Sequence, residues 1–303
     1  MEFLYLLEKI RVPRLNELML AVTELGGEMP FLIIALVVFW CVDKRRGYYV
    51  LSVGFLGTLT NQFMKLWFRV PRPWVLDPNF TILEQAREAA AGYSFPSGHT
   101  QNAVGTFGAL AITAKTRWIK VLSVALAVLV PFSRMYVGVH TPADVLVAAA
   151  MAVAFLMLLR PFIFRKDEGN VLRLFTVLTL LSAAFLCFVE FWNFPADIDP
   201  HNLQSGIKNA YTLIGSLVGL VIVYFVDNKY IRFETSAIWW VQILKVALGF
   251  LAVLAVKSGL KTPIEMICGG HMIARAIRYF LIVIMAGIIW PLTFKWLSKL
   301  GRK

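Results

Sequence analysis

The chain has 303 residues, 59% of them hydrophobic, with a formal net charge of +12 and a mean hydropathy of +0.70. That composition excludes an ordinary soluble domain. The positive excess lies between long apolar runs, where Lys and Arg meet anionic headgroups, and it excludes nucleic acid as the expected partner.

In chain order, Met1–Ile10 reads as a short amphipathic helix on the membrane surface, with Phe3, Leu4, Leu6, Leu7 and Ile10 set against Glu2, Glu8 and Lys9. The first 28 residues, interrupted by Glu2, Glu8, Lys9, Arg11, Pro13 and Arg14, do not read as a cleavable signal. A bilayer core of about 30 Å needs roughly 20 apolar residues per helix. About nine stretches qualify on that reading: Pro30–Val42, Tyr48–Met64, His99–Ala114, Trp118–Phe132, Pro142–Leu159, Val171–Phe191, Ala210–Val226, Ile238–Val256 and Ala276–Phe294. They are continuously apolar and do not alternate, which predicts helices over a barrel. The expected fold is therefore all-α, a polytopic transmembrane bundle. It divides into an interfacial segment over 1–28, a catalytic core over 29–166 and accessory helices over 167–303.

Loop charges give the expected orientation. Lys44-Arg45-Arg46, Lys115/Arg117/Lys120, Arg160/Arg165/Lys166, Lys229/Arg232 and Lys295/Lys299/Arg302/Lys303 fall on one side, read as cytoplasmic. The amino terminus is then outside, and the motifs described next lie on the external face. Cys41, Cys187 and Cys268 suggest no disulfide framework, and no metal spacing of the C-x-x-C or His-rich kind occurs.

Three motifs carry the chemistry. Thr141-Pro142 marks a helix start, so His140 precedes a span and Asp144 lies in its first turn, within plausible reach of the imidazole. A carboxylate on one ring nitrogen fixes the tautomer and frees the other to attack. Thr141-x-x-Asp144 also reads as a simple capping box, and the two roles are compatible. Ahead of it, Ser133-Arg134 contributes a cation. Pro96-Ser97-Gly98-His99 opens another apolar run. Its amides, with Gly98 allowing close approach, suit an anion, and His99 suits proton donation to a leaving alkoxide. Ser97 alone would read as an N-cap. Lys65-x6-Arg72-Pro73 adds two cations that in isolation would be topology markers. Lys65, Arg72 and Arg134 together match the three equatorial oxygens of a phosphoryl group, with no metal or other cofactor expected.

These three motifs, in this order and spacing, resemble those of the type-2 phosphatidic acid phosphatase and haloperoxidase superfamily over roughly Thr58 to Leu159. The resemblance implies metal-independent phosphatase chemistry through a phosphohistidine. His140 would be the nucleophile, Asp144 its orienting partner and His99 the general acid that later activates water. Lys65, Arg72, Ser97, Gly98 and Arg134 would bind phosphate. The long second half is similar in layout to glucose-6-phosphatases and sphingosine-phosphate phosphatases, and neither similarity assigns a substrate. The expected activity is hydrolysis of a lipid phosphate monoester, with phosphorylated lipid and membrane lipids as partners, in a bacterial inner membrane with the site facing outward. A sugar phosphate, an isoprenoid pyrophosphate and a non-enzymatic lipid transporter are the alternatives.

Outside the motifs, Lys245 lies within a span, where a charge is either functional or snorkels to the surface. Glu190, Asp197, Asp199 and His201 could ligate a metal or gate the site, or form a solvated acidic loop. His271, Arg275 and Arg278 read as headgroup ligands or as membrane anchors, and Trp239-Trp240 as an interfacial belt.

Overall fold

The computed structural model describes residues 1–88, 90, 92–165 and 169–300, so the expected cytoplasmic cations Lys166, Arg302 and Lys303 lie outside the described residues. Among the described residues the chain is helical throughout. Its helices are α1 Glu2–Lys9, α2 Pro13–Glu24, α3 Glu28–Cys41, α4 Lys44–Phe68, α5 Pro73–Leu76, α6 Gly98–Thr113, α7 Arg117–Tyr136, α8 Pro142–Phe164, α9 Gly169–Phe191 and α10 Pro200–Val226. They continue with α11 Trp239–Gly259, α12 Lys261–Ile267, α13 Ile273–Ile284 and the short α14 Trp290–Leu292 and α15 Phe294–Leu297.

Six helical stretches are long and apolar enough to cross a membrane: Arg117–Tyr136, Pro142–Phe164, Gly169–Phe191, Pro200–Ile231, Trp239–Ile267 and Ile273–Leu297. A seventh is added if α2 and α3, bent by 51°, form one span. The integral-membrane class stands, and the expected nine spans become six or seven. The two that drop out, Tyr48–Met64 and His99–Ala114, are helical as α4 and α6 but too polar or too short. Helix α6 has only 16 residues, and α4 and α6 bury Ser52, Asn61, Lys65, Thr100, Gln101 and Thr106 inside the protein. Helices enclosed by protein need no apolar coat, so hydropathy misjudges them.

The chain forms two compact units. The first comprises Met1–Ala35, Tyr49–Pro161 and Asn193–Gly206; the second comprises Leu36–Tyr48, Phe162–Trp192 and Ile207–Lys303.

In the first unit, α6 and α7 pack through Ala103, Phe107 and Val130, with Val22, Ile34, Leu110 and Leu126 around them. The α2–α3 turn presses against this pair at Gly26, where a Cβ would stand 2.6 Å from Val130 Cγ1 and 2.8 Å from the His99 carbonyl oxygen. Only glycine fits there. Helix α2 was not expected from periodicity. Its Pro13 sits at the first helical position, where the missing N–H costs nothing. Met19 from α2 packs with Ala86, Ala90, Tyr136, Val137 and Val139. The amphipathic α1 turns Leu4 inward against Phe80 and Ile82, while Phe3, Leu6 and Ile10 stay exposed. Arg11 then donates to the carbonyls of Tyr136 and Thr81. The amino-terminal helices thus brace the segment that leads into His140.

In the second unit, Asp227 is fully buried and ion-paired with Lys44 at 2.6 Å, and the Lys44 ammonium lies 3.8 Å from the centre of the Phe233 ring. Lys245 does not snorkel: it is fully buried, donates to the carbonyls of Thr235 and Glu234 at 3.2 and 3.4 Å, and lies over Phe294. Arg275 donates to Thr212 Oγ1 at 2.6 Å, Arg278 approaches Glu265 at 3.8 Å, and His271 Nδ1 accepts from the Ile273 amide. These contacts fasten helices within the unit.

Candidate active site

The site is assembled from helix ends in the first unit. Lys65 comes from the last turn of α4, Arg72 from the residue before α5, and Ser97, Gly98 and His99 from the start of α6. Arg134 lies in the last turn of α7, His140 just before α8, and Asp144 in the first turn of α8. Antiparallel helices bring alternate ends together, which is why residues spread over eighty positions share one place. The opposite ends of α6, α7 and α8 carry Lys115, Arg117, Lys120 and Arg160.

Arg72 is the centre of the cluster. Its Nη1 donates to His140 Nε2 at 2.9 Å and to the Val139 carbonyl at 3.0 Å, and its Nε donates to the Gly92 carbonyl at 3.0 Å. Because Nε2 accepts from a guanidinium, it carries the lone pair, and the ring proton belongs on Nδ1. Nδ1 lies 3.5 Å from Asp144 Oδ2, long for a hydrogen bond. That oxygen accepts at closer range from the Ser94 hydroxyl at 2.6 Å and the Thr141 amide at 2.8 Å. The Asp144 amide in turn donates to Thr141 Oγ1 at 3.3 Å. Capping box and histidine partner therefore coexist in one carboxylate.

Ser97 caps α6, its hydroxyl accepting from the Thr100 amide at 3.3 Å, while its own amide donates to the Asp144 carbonyl at 3.1 Å. The two motifs are thereby joined through their backbones. The first amides of α6 have no carbonyl partner within the helix, the arrangement that suits an anion at a helix start. Lys65 donates to the Tyr93 carbonyl. Arg134 donates to Thr23 Oγ1 at 2.7 Å, and its Nε is buried with no partner among the described residues.

Lys65, Arg72, Arg134, His140 and Asp144 are all almost completely buried, so three cations face one carboxylate away from water. Burial, and after it the cations Arg72, Arg134 and Lys65 and the second histidine, hold His140 well below the usual histidine range. Burial brings Arg72 down to about 10, the Asp144 carboxylate opposing it. Burial, and after it Arg134, Arg72 and Lys65, bring His99 down to about 2, so it holds an acid's proton only when a phosphate anion offsets those cations. A buried excess of positive charge is costly unless an anion arrives to meet it.

A cavity of about 990 Å³ opens beside Arg72, lined by Arg69, Trp74, Arg87, Tyr93, Asp197 and His201 among others. The acidic loop borders it: Asp199 Oδ1 accepts from the amides of His201 and Asn202, and its own amide donates to the Tyr93 hydroxyl at 3.2 Å. Among the described residues no group of three or more His, Cys, Asp and Glu side chains is close enough together to hold a metal. Ser94, Thr23 and the carbonyls of Gly92 and Tyr93 are parts of the site that motif reading did not reveal. A lone serine or threonine, or a backbone oxygen, leaves no spacing signal.

The model of the PAP2 superfamily matches residues 46–168, and that of the PAP2 superfamily phosphatase transmembrane extension matches residues 211–303. The chain is 30% identical over 166 residues to phosphatidylglycerophosphatase B of Bacillus subtilis, covering 50% of this chain and 77% of that protein. It is 31% identical over 158 residues to the undecaprenyl-diphosphatase BcrC of the same organism, covering 49% and 79%. It is also 33% identical over 215 residues to a probable sphingosine-1-phosphate phosphatase of Dictyostelium discoideum, covering 64% and 50%. No solved structure matches.

Proposed function

This chain belongs to the PAP2 superfamily, and from that premise we propose that His140, His99 and Asp144 catalyse hydrolysis of a membrane lipid's phosphate ester at the outward face. The protein is a membrane phosphatase acting on lipid phosphate. The observation that carries the assignment of roles is the Arg72 guanidinium seated on His140 Nε2 at 2.9 Å. A guanidinium suited to phosphate, next to the nitrogen that would attack phosphorus, supports those roles.

A phosphate entering the site competes with the Gly92, Val139 and Tyr93 carbonyls for Arg72 and Lys65, and uncovers Nε2 as it does so. Nε2 attacks phosphorus, the bond to the lipid oxygen breaks, and His99 gives its proton to that oxygen. Lys65, Arg72 and Arg134 meet the charge on the three equatorial oxygens. In the second step His99 takes a proton from water, the hydroxide attacks phosphorus, the P–N bond breaks and inorganic phosphate leaves. His140 returns to its starting form.

A lipid phosphate monoester is the preferred substrate, since the names of two relatives point to phospholipid or sphingolipid monoesters. An isoprenoid diphosphate is the second reading. It is favoured by the undecaprenyl-diphosphatase relative and by Arg69, a further cation in the cavity beside Arg72, which suits a second phosphate. The outward orientation rests on Lys115, Arg117, Lys120 and Arg160 at the helix ends opposite the site.

The test is phosphate release by the purified chain from phosphatidylglycerophosphate, phosphatidate, sphingosine phosphate, an isoprenoid diphosphate and a sugar phosphate. The wild type, with and without EDTA, is compared with His140→Ala. Turnover of a lipid phosphate that resists EDTA and disappears in His140→Ala is expected. Hydrolysis retained by His140→Ala would overturn the histidine mechanism, and loss with EDTA restored by a divalent ion would overturn the three-cation account.

A further inference from the structure

Three consecutive residues, Gly92, Tyr93 and Ser94, touch four of the residues that the three motifs contribute. The Gly92 carbonyl accepts from Arg72 and the Tyr93 carbonyl from Lys65. The Ser94 hydroxyl lies 2.6 Å from Asp144 Oδ2 and 3.4 Å from His140 Nδ1. Gly92 has φ +78°, a left-handed conformation that favours glycine. The segment is then pinned where the Ser94 amide donates to the Val70 carbonyl at 2.8 Å. Ser94 is completely buried.

A hydroxyl has one proton and two lone pairs. At 2.6 Å the proton goes to the carboxylate, the contact of a charge-assisted bond. A lone pair is then left on the side of His140 Nδ1. Asp144 Oδ2 itself stands 3.5 Å from Nδ1 and is already engaged by the Thr141 amide. The hydroxyl therefore lies between the carboxylate and the ring, closer to each than they are to one another.

We propose that Ser94 is a positioning residue for the phosphatase reaction, linking Asp144 to His140 and holding the imidazole in its Nδ1–H form so that Nε2 keeps its lone pair. The proposal rests on the assignment of His140 as nucleophile. Ser94 forms no covalent bond in either step. When Nε2 bonds to phosphorus the ring becomes cationic and its Nδ1–H a stronger donor. The Ser94 lone pair and the Asp144 carboxylate then share that proton's charge, and Nδ1 keeps the proton throughout.

The experiment measures kcat and KM for a short-chain phosphatidate with the full chain in detergent. It compares the wild type, Ser94→Ala, Ser94→Thr, Asp144→Asn, Ser94→Ala/Asp144→Asn and His140→Ala. Ser94→Ala should lose about 10–100-fold in kcat, the scale known for removing the partner that orients a metal-bound histidine, with KM little changed. Ser94→Thr, which keeps the hydroxyl, should recover activity. The double variant should be no worse than Asp144→Asn, because both residues act through one ring. Full kcat in Ser94→Ala, or a double variant whose loss is the product of the two single losses, overturns the role of Ser94. If Ser94→Ala does not fold, Ser94→Thr decides: activity near wild type supports the role, and inactivity in a folded protein overturns it. Hydrolysis by His140→Ala would instead overturn the parent assignment, so the two failures are distinguishable.

Discussion

Both units bury lysines and arginines, but they do so in opposite ways. In the second unit the charges are dispersed, each beside its own neighbours: buried Asp227 beside half-buried Lys44 at 2.6 Å, Lys245 beside two backbone carbonyls and the Phe294 ring, and Arg278 beside Glu265 at 3.8 Å. In the first unit Lys65, Arg72 and Arg134 gather around two histidines and the single carboxylate of Asp144. Dispersed charges with their own partners hold helices together, whereas three cations crowded around one buried carboxylate favour the arrival of an anion. The comparison separates architecture from chemistry without appeal to motifs.

Substitutions can break or sharpen it. The largest expected effect is on Arg72: Arg72→Ala should lower kcat/KM by about 10³-fold, the scale for removing one preorganised donor to a transition-state oxyanion. Loss of a repulsive cation offsets part of what the broken bonds to the Gly92 and Val139 carbonyls cost, so its melting temperature should fall little. Asp227→Ala should do the reverse. It leaves Lys44 and the Phe233 amide without their carboxylate and should cost about 3 kcal/mol of stability, the low end for a broken buried pair because Lys44 keeps partial exposure. Specific activity of the folded fraction should be preserved, as thermal unfolding and kinetics on the same sample would show.

The third prediction concerns pH. A depressed pKa means that His140 stays neutral, and so nucleophilic, as pH falls through the ordinary histidine range. The acid limb of kcat/KM should therefore lie below about pH 6.5, where an unperturbed histidine titrates. Lys65→Met removes one of the cations holding it down, so its acid limb should move up towards that value. An unmoved limb would show that the cations do not set the nucleophile's protonation. The smallest effect is expected from Lys245→Met. The long apolar replacement keeps the packing and removes a buried charge, so stability should change by about 1 kcal/mol or less, with activity unaltered. A large loss of activity would erase the contrast between the units.

Much of this was legible in the residues themselves. The eight motif positions converge because helix-start signals at Ser97 and Thr141-Pro142, and cations at the ends of α4 and α7, place all of them at alternate helix ends. Two limits were physical. Hydropathy reports exposure to lipid, so α4 and α6, whose polar faces are buried in protein, were counted as spans by a rule that does not govern them. The same rule could not tell Lys65 from Lys245: both are lysines in apolar surroundings, and only the three-dimensional partners distinguish them. Partners remote in sequence were equally invisible. Thr23 meets Arg134 across 111 positions, and Ser94 meets Asp144 across 50.

The Thr23–Arg134 bond has a consequence for how the enzyme matures. Arg134, one of the three clustered cations, is held by a hydroxyl from α2, and α1, α2 and the turn between them also brace the segment entering His140. Helices α2 and α7, far apart in sequence, must therefore both be in place before Arg134 is held. The cluster is complete only once α8 has joined it, because His140 and Asp144 are its last members in sequence.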